Sequence, residues 1–243
     1  MDVIEPTSLQ RIWDWMLDTL GHTYFEFPLH FMPVVVAVVG ITGIAFSILD
    51  VRRRRVAAGV AILNGTRIMS GYIVAAGLLL TFHYETRWIT VDVPDRAPGW
   101  PSFCAQVAIF TVLGELLTYW WHRLEHGSRF VFERVHFLHH HVANPLTVWT
   151  NFVVHPVEGL MVLVCLYGPL IAVGAHPLVF FAYAIVNTTA MVITHSGYDF
   201  RLWPAWLFPR ASGHELHHSE RRPTNLSVVM SYGDRLFGTY VEP

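Results

Sequence analysis

Fifteen histidines occur in 243 residues, most of them in the second half of the chain, and nine sit at spacings that can do chemistry. His122 and His126 stand in HRLEH, His136, His139 and His140 in HFLHH, and His214, His217 and His218 in HELHH. On a helix, positions i and i+4 share a face, as do i, i+3 and i+4. Each group can therefore aim two or three imidazoles at one point. Eight converging nitrogens exceed the needs of one tetrahedral zinc and suit two metals with a position open for substrate or oxygen. His195 is a ninth candidate ligand. The competing reading is an exposed, partly charged histidine patch of the kind used as a pH sensor. His141 falls outside the set because three ligands already occupy its helix face. His155, ahead of a proline, reads as structural, and His22, His30, His83 and His176 read as core residues.

Three carboxylates are candidates for orienting these imidazoles from behind. Glu115 lies seven residues before His122, two turns back on the same face; its alternative role is a polar contact between helices. Glu158 and Asp199 are weaker candidates for the same task.

The elements that must position these groups are membrane helices. Hydrophobic residues make up 53% of the chain, charged residues 14%, and mean hydropathy is +0.41. The low charged fraction and a net charge of −2 disfavour a nucleic-acid binder, which needs a basic face; all sixteen basic residues are arginine. Cys104 and Cys165 lie in apolar runs, so neither a disulfide framework nor a thiolate metal site is present. A span needs roughly 20 apolar residues. Phe31 to Leu49, Val60 to Phe82 and Phe103 to Trp121 meet that need, and Gly159 to Thr194 is long enough for a hairpin of two short spans. Leu9 to Leu20 mixes Trp13, Trp15 and Leu17 with Asp14 and Asp18 and reads as an interfacial helix; acids and no basic run ahead of the first span argue against a cleaved signal peptide. Arg52 to Arg55 follow the first span and place that end in the cytoplasm. Counting spans then brings all the histidine groups to the cytoplasmic side. The fold expected is all-α: an integral membrane helical bundle of about four to five spans with a cytoplasmic helical cap carrying the histidines. Residues 1–102 would supply the interfacial helix and two spans, and residues 103–243 the metal-binding domain.

The chain resembles the fatty acid hydroxylase/sterol desaturase superfamily of membrane di-iron oxygenases from about Phe103 to Pro243. The resemblance rests on ELLTYWWHRLEH, VHFLHHH, VVHPVEG, THSGYD and HELHHSERRPTN followed by GDRLFGTY, taken in that order. It implies two irons held by His122, His126, His136, His139, His140, His214, His217 and His218, with His195 matching an additional histidine. Some relatives carry a second histidine four residues later, where this chain has Asp199. The implied chemistry is reductive activation of O2 and removal of hydrogen from an unactivated C–H bond, ending in an alcohol or, after a second abstraction, an alkene.

Other expectations follow from the same picture. The substrate would be a lipid such as a fatty acyl chain, sterol or related isoprenoid, because the site opens at the membrane interface flanked by Trp120, Trp121, Trp203 and Trp206. Electrons would come from a separate ferredoxin, cytochrome or reductase docking on the arginine-rich inner face. The compartment would be a bacterial inner membrane or, in a eukaryote, the endoplasmic reticulum, and zinc would be able to replace iron in purified protein. Two other classes remain open. An intramembrane zinc-dependent hydrolase would use Glu125 or Glu215 as base, and a heme electron carrier would need paired axial imidazoles.

Overall fold

The computed structural model describes residues 7–87, 89–143 and 145–243, and among them there are helices and connections but no strand. In chain order the helices are α1 (Ser8–Leu20), the single turn α2 (His22–Phe25), α3 (Met32–Arg52), α4 (Ala58–Thr86), α5 (Trp100–Gly127) and the short α6 (Arg129–Val131). A π-helical turn (Phe132–His136) leads into α7 (Phe137–Val142); a 3-10 turn (Thr150–Phe152) precedes α8 (Pro156–Ala172), α9 (Pro177–Thr194), α10 (Ala211–Glu220) and α11 (Tyr232–Phe237). The helices α3, α4, α5 and α9 are long and apolar enough to cross a bilayer, and the protein is an integral membrane protein. At 17 residues, α8 reaches about 25 Å, less than a full hydrocarbon core.

The apolar runs locate the spans, while the helices extend beyond them. The third span was expected to end at Trp121; α5 continues to Gly127, because nothing in HRLEHG breaks a helix before that glycine. His122 and His126 therefore ride on a rigid extension of a membrane helix. The expected hairpin is present, and it turns at residues 173–176, where Gly174 adopts φ +61°. Both of its helices start the same way. The Nδ1 atoms of His155 and His176 accept the amides of Val157 and Leu178, capping α8 and α9 ahead of Pro156 and Pro177.

Packing arranges the long helices as an open ring around the site. Going round, α4 packs on α3, α3 on α9, α9 on α5, and α5 on α8. Phe31, Phe110, Leu166, Tyr167, Leu170, Val179, Phe180 and Tyr183 fill the core between them, so side chains from both halves of the chain share one cluster. On α1, Leu9 and Trp13 are buried and Trp15 is exposed. The Trp13 indole N–H donates to Pro94 O, which ties α1 to the loop before α5.

Of the four histidines expected in the core, His30, His83 and His176 are buried, whereas His22 opens α2 in an exposed position. His30 Nδ1–H donates to Phe27 O, and burial pushes its pKa down to about 4 from 6.5. The unfolded chain therefore takes up a proton that the folded state refuses. His30's contribution is intact above about pH 6.5 and is lost as pH falls towards 4, by about 3 kcal/mol. His30→Phe should start less stable at pH 7, because Phe27 O loses its donor, yet lose less between pH 7 and 4.5 than the wild type. Thermal melts in detergent measure this; parallel pH profiles for the two proteins would refute it.

Candidate metal centre

The three histidine boxes lie on α5, on the π-turn with α7, and on α10, and the structure brings them together at one end of the bundle. Eight of the nine candidate imidazoles are buried and His126 is half-buried. They form two adjoining groups. His122, His126, His136, His140 and His217 bring one ring nitrogen each within 4.8 Å of one another, and His139, His195 and His218 form a second such set. His214 joins the second group, its Nε2 lying 2.9 Å from His195 Nε2 and 3.2 Å from His218 Nε2. The two HxxHH boxes therefore do not each point at one spot. The π-turn and α7 send His136 and His140 to the first group and His139 to the second, while α10 sends His217 to the first and His218 to the second.

Hydrogen bonds from behind fix which nitrogen faces inward. A backbone carbonyl only accepts, so an Nδ1 bonded to one must carry the proton and leave Nε2 bare. His122 Nδ1 donates to Leu226 O, and His217 Nδ1 donates to Arg222 O and Thr224 O. The Nε2 atoms of both are buried without a partner. His136 Nδ1 donates to Glu158 Oε1 at 3.0 Å and lies 3.5 Å from Glu125 Oε2. His140 Nδ1 faces His218 O at 3.4 Å. Yet the Nε2 atoms of His136 and His140 are 3.0 Å apart. In the second group, His195 Nδ1 donates to Met191 O and His214 Nδ1 to Asn225 O, and their Nε2 atoms again meet.

Two bare nitrogens at that distance repel unless a cation lies beside them. With metal–nitrogen bonds of about 2.1 Å, ligands at right angles stand about 3.0 Å apart and tetrahedral ligands about 3.4 Å. The donor set thus fits metal ions of the kind imidazole prefers. Burial acts in the same direction by keeping the imidazoles neutral. It pushes His140 down to about 3 and His195 to about 4, and lowers His136, His139, His214, His217 and His218 as well.

The three carboxylates have different fates. Glu158 backs His136 directly. Glu115 touches no imidazole; its Oε2 accepts Val229 N–H, bracing the segment whose Leu226 carbonyl holds His122. The helical register is as expected, but the 226–230 segment lies between Glu115 and the histidine. Asp199 is a correction of a different sort. It accepts the Ser212 amide at 3.1 Å and the Ser212 hydroxyl at 2.6 Å, capping α10 from outside the centre.

The hexapeptide THSGYD spreads its roles over the whole site. Thr194 Oγ1 donates to Val228 O, His195 faces the second group, Tyr198 donates to Asp50, and Asp199 caps α10. Gly197, at φ +71°, leaves room for Arg55, where a β-carbon would collide with its guanidinium. Arg55, read in the sequence only for its charge, reaches Asp50 Oδ1, Ser196 O, Leu146 O and Glu215 Oε1. Glu215, paired with Arg55, is not among the residues that line the cavity beside the histidines. Sequence reasoning also missed Asp234, which accepts the amides of Leu226 and Ser227. The GDRLFGTY run offered the only signal for it. His141 is exposed, with its ring 5.4 Å from Phe137. Imidazoles with centroids 4.3–4.9 Å apart leave no plane for a porphyrin between these rings.

A cavity of about 220 Å³ opens from the histidines into the bundle. His122, His136, His139, His195 and His214 form its head, Glu125, Glu158, Trp121 and Asn151 its collar, and Val35, Val162, Leu163, Leu166 and Met191 its apolar shaft. Along α8 the lining runs from Glu158 to Tyr167, about 14 Å.

A membrane helix bundle with two clusters of inward-facing imidazoles over an apolar shaft is the architecture of a membrane metal centre. The chain belongs to the fatty acid hydroxylase family, whose model, described as "Fatty acid hydroxylase", matches residues 107–239. Among curated proteins it is 31% identical over 148 residues to Very-long-chain aldehyde decarbonylase GL1-8 of Oryza sativa subsp. indica, covering 58% of this chain and 54% of the relative. It is 26% identical over 178 residues to Methylsterol monooxygenase 1 of Gallus gallus, covering 72% and 59%. Methylsterol monooxygenase 2-2 of Arabidopsis thaliana is 28% identical over 148 residues. The chain spans a little over half the length of these relatives. No solved structure is significantly similar to it.

Proposed function

We propose that the protein is a membrane-bound oxygenase that uses O2 and external electrons to hydroxylate or desaturate a C–H bond of a lipid, with two irons held by His122, His126, His136, His140 and His217 and by His139, His195, His214 and His218. The observation that carries the reading is the pair of bare-nitrogen contacts, one in each group, at the head of an apolar shaft. Two irons there would supply the reductive activation of O2 that an unactivated C–H bond demands. The chain's own residues do the rest. The Nδ1 donations to carbonyls and to Glu158 keep His122, His136, His195, His214 and His217 in the ligand tautomer. Val162, Leu163, Leu166 and Met191 exclude water and hold an apolar chain with one carbon at the head. The family and the named activities of the relatives support the same class of chemistry. Electrons would arrive from a separate ferredoxin, cytochrome or reductase, and the histidine end would face the cytoplasm, as the arginine distribution directs.

A zinc hydrolase is the second reading. Glu125 favours it, since its Oε1 is buried without a partner beside the cavity. Metal analysis of anaerobically purified protein, with a Mössbauer spectrum, separates the two. Two coupled, nitrogen-ligated irons per chain are expected. One zinc per chain with no capacity for iron would remove the oxygenase reading and bring Glu125 forward.

A further inference from the structure

We propose that the lipid reaches the centre sideways out of the bilayer, through the slot between α4 and α8, with Tyr72 and Phe152 as its gate. The inference rests on the lipid reading of the cavity given above. The helix ring α4–α3–α9–α5–α8 is packed at each junction but the last, since α8 is not among the main packing partners of α4. Both of these helices nevertheless line the cavity, α4 through Tyr72 and α8 through Gly159, Val162, Leu163, Leu166 and Tyr167.

The other routes are closed. At the head, the imidazoles pack ring against ring, with centroids 4.4–4.9 Å apart. At the far end, Phe31 stacks on Tyr167 at 3.9 Å, and Phe180 stacks behind Phe31 at 5.7 Å. Among the described residues, the slot is the gap in this ring that both cavity-lining helices flank. Beside it, Ile73 on α4 and Leu160 and Val164 on α8 are 50–60% exposed, apolar surface for an acyl chain to slide along. Across the slot, the Tyr72 ring meets the Phe152 ring edge-on at 5.5 Å. Such an edge-on pair is a weak contact that thermal motion can open. Gly159 keeps the α8 side low: a β-carbon there would meet only Val154 Cγ2, at 3.4 Å.

The test uses metal-loaded full-length protein in phosphatidylcholine vesicles doped with a long-chain fatty acid carrying a mid-chain diazirine. Flash irradiation at increasing times after mixing, followed by peptide mapping, gives the rate at which the probe appears at Leu166 and Met191. Tyr72→Ala should speed that appearance several-fold and Tyr72→Trp should slow it several-fold, with metal content unchanged. Phe152→Ala should act like Tyr72→Ala and covers the case in which one gate variant misfolds. Labelling inside the cavity at the wild-type rate in every gate variant would overturn the slot while leaving the lipid reading standing. No labelling inside the wild-type cavity, with labels confined to the outer helix faces, would overturn the lipid reading on which the slot depends.

Discussion

His217→Ala should empty the first metal position and abolish turnover. His217 sits where the groups meet. Its ring lies 4.6 Å from His126, 4.8 Å from His122 and 4.8 Å from His140, and its Nε2 has no partner among the described residues. Two carbonyls, Arg222 O and Thr224 O, hold its Nδ1, so the ring is aimed before any metal arrives. Alanine removes the donor and leaves those carbonyls without their proton. Loss of even a supporting partner costs such sites about 10- to 100-fold in affinity, and loss of a ligand costs more. The expected result is at most one metal per chain and activity below detection, with helix content and membrane insertion retained, because α10 contributes little to the apolar core. Inductively coupled plasma analysis beside circular dichroism reads both. Two metals per chain in the variant would strike His217 from the ligand set. His139→Ala should do the same to the second group.

The sequence made the spans and boxes legible because both signals are local. An apolar run of about twenty residues marks a span whatever its neighbours do. A 3–4 spacing of histidines marks a shared helix face. What it hid depends on pairs far apart in the chain. Glu115 was placed on the right face of α5, but the 226–230 segment, over a hundred residues later, comes between it and the imidazoles. Asp199 stands where a ligand would be looked for, and its actual partner, Ser212, is visible only once α10 is folded. The division of each HxxHH box between two groups depends on helix positions and on the π-turn, which no periodicity announces. Arg55 appeared as one charge among four. Only the packed structure reveals that it ties α10 to the ends of α3 and α9.

Glu158→Gln should weaken metal binding about 10- to 100-fold without removing any ligand. Glu158 accepts His136 Nδ1–H, which fixes the tautomer that leaves Nε2 bare; burial and the nearby Glu125 push its pKa up, and a bound metal would hold it in the charged carboxylate form. Glutamine keeps the size but loses the charge. Its amide can also turn an N–H towards Nδ1, which would shift the imidazole proton to Nε2 and point it at His140, 3.0 Å away. Glu125 Oε2, at 3.5 Å, is placed to take over part of the role. The single variant should therefore retain metal at saturating iron and lose it to a chelator at lower concentration than the wild type. The Glu125→Gln/Glu158→Gln double variant should lose more than the two single effects combined, since each carboxylate is the other's substitute. Chelator competition on the reconstituted protein measures all three. Wild-type affinity in Glu158→Gln would mean that the carboxylate does not set the His136 tautomer and that the buried pair serves the cavity instead.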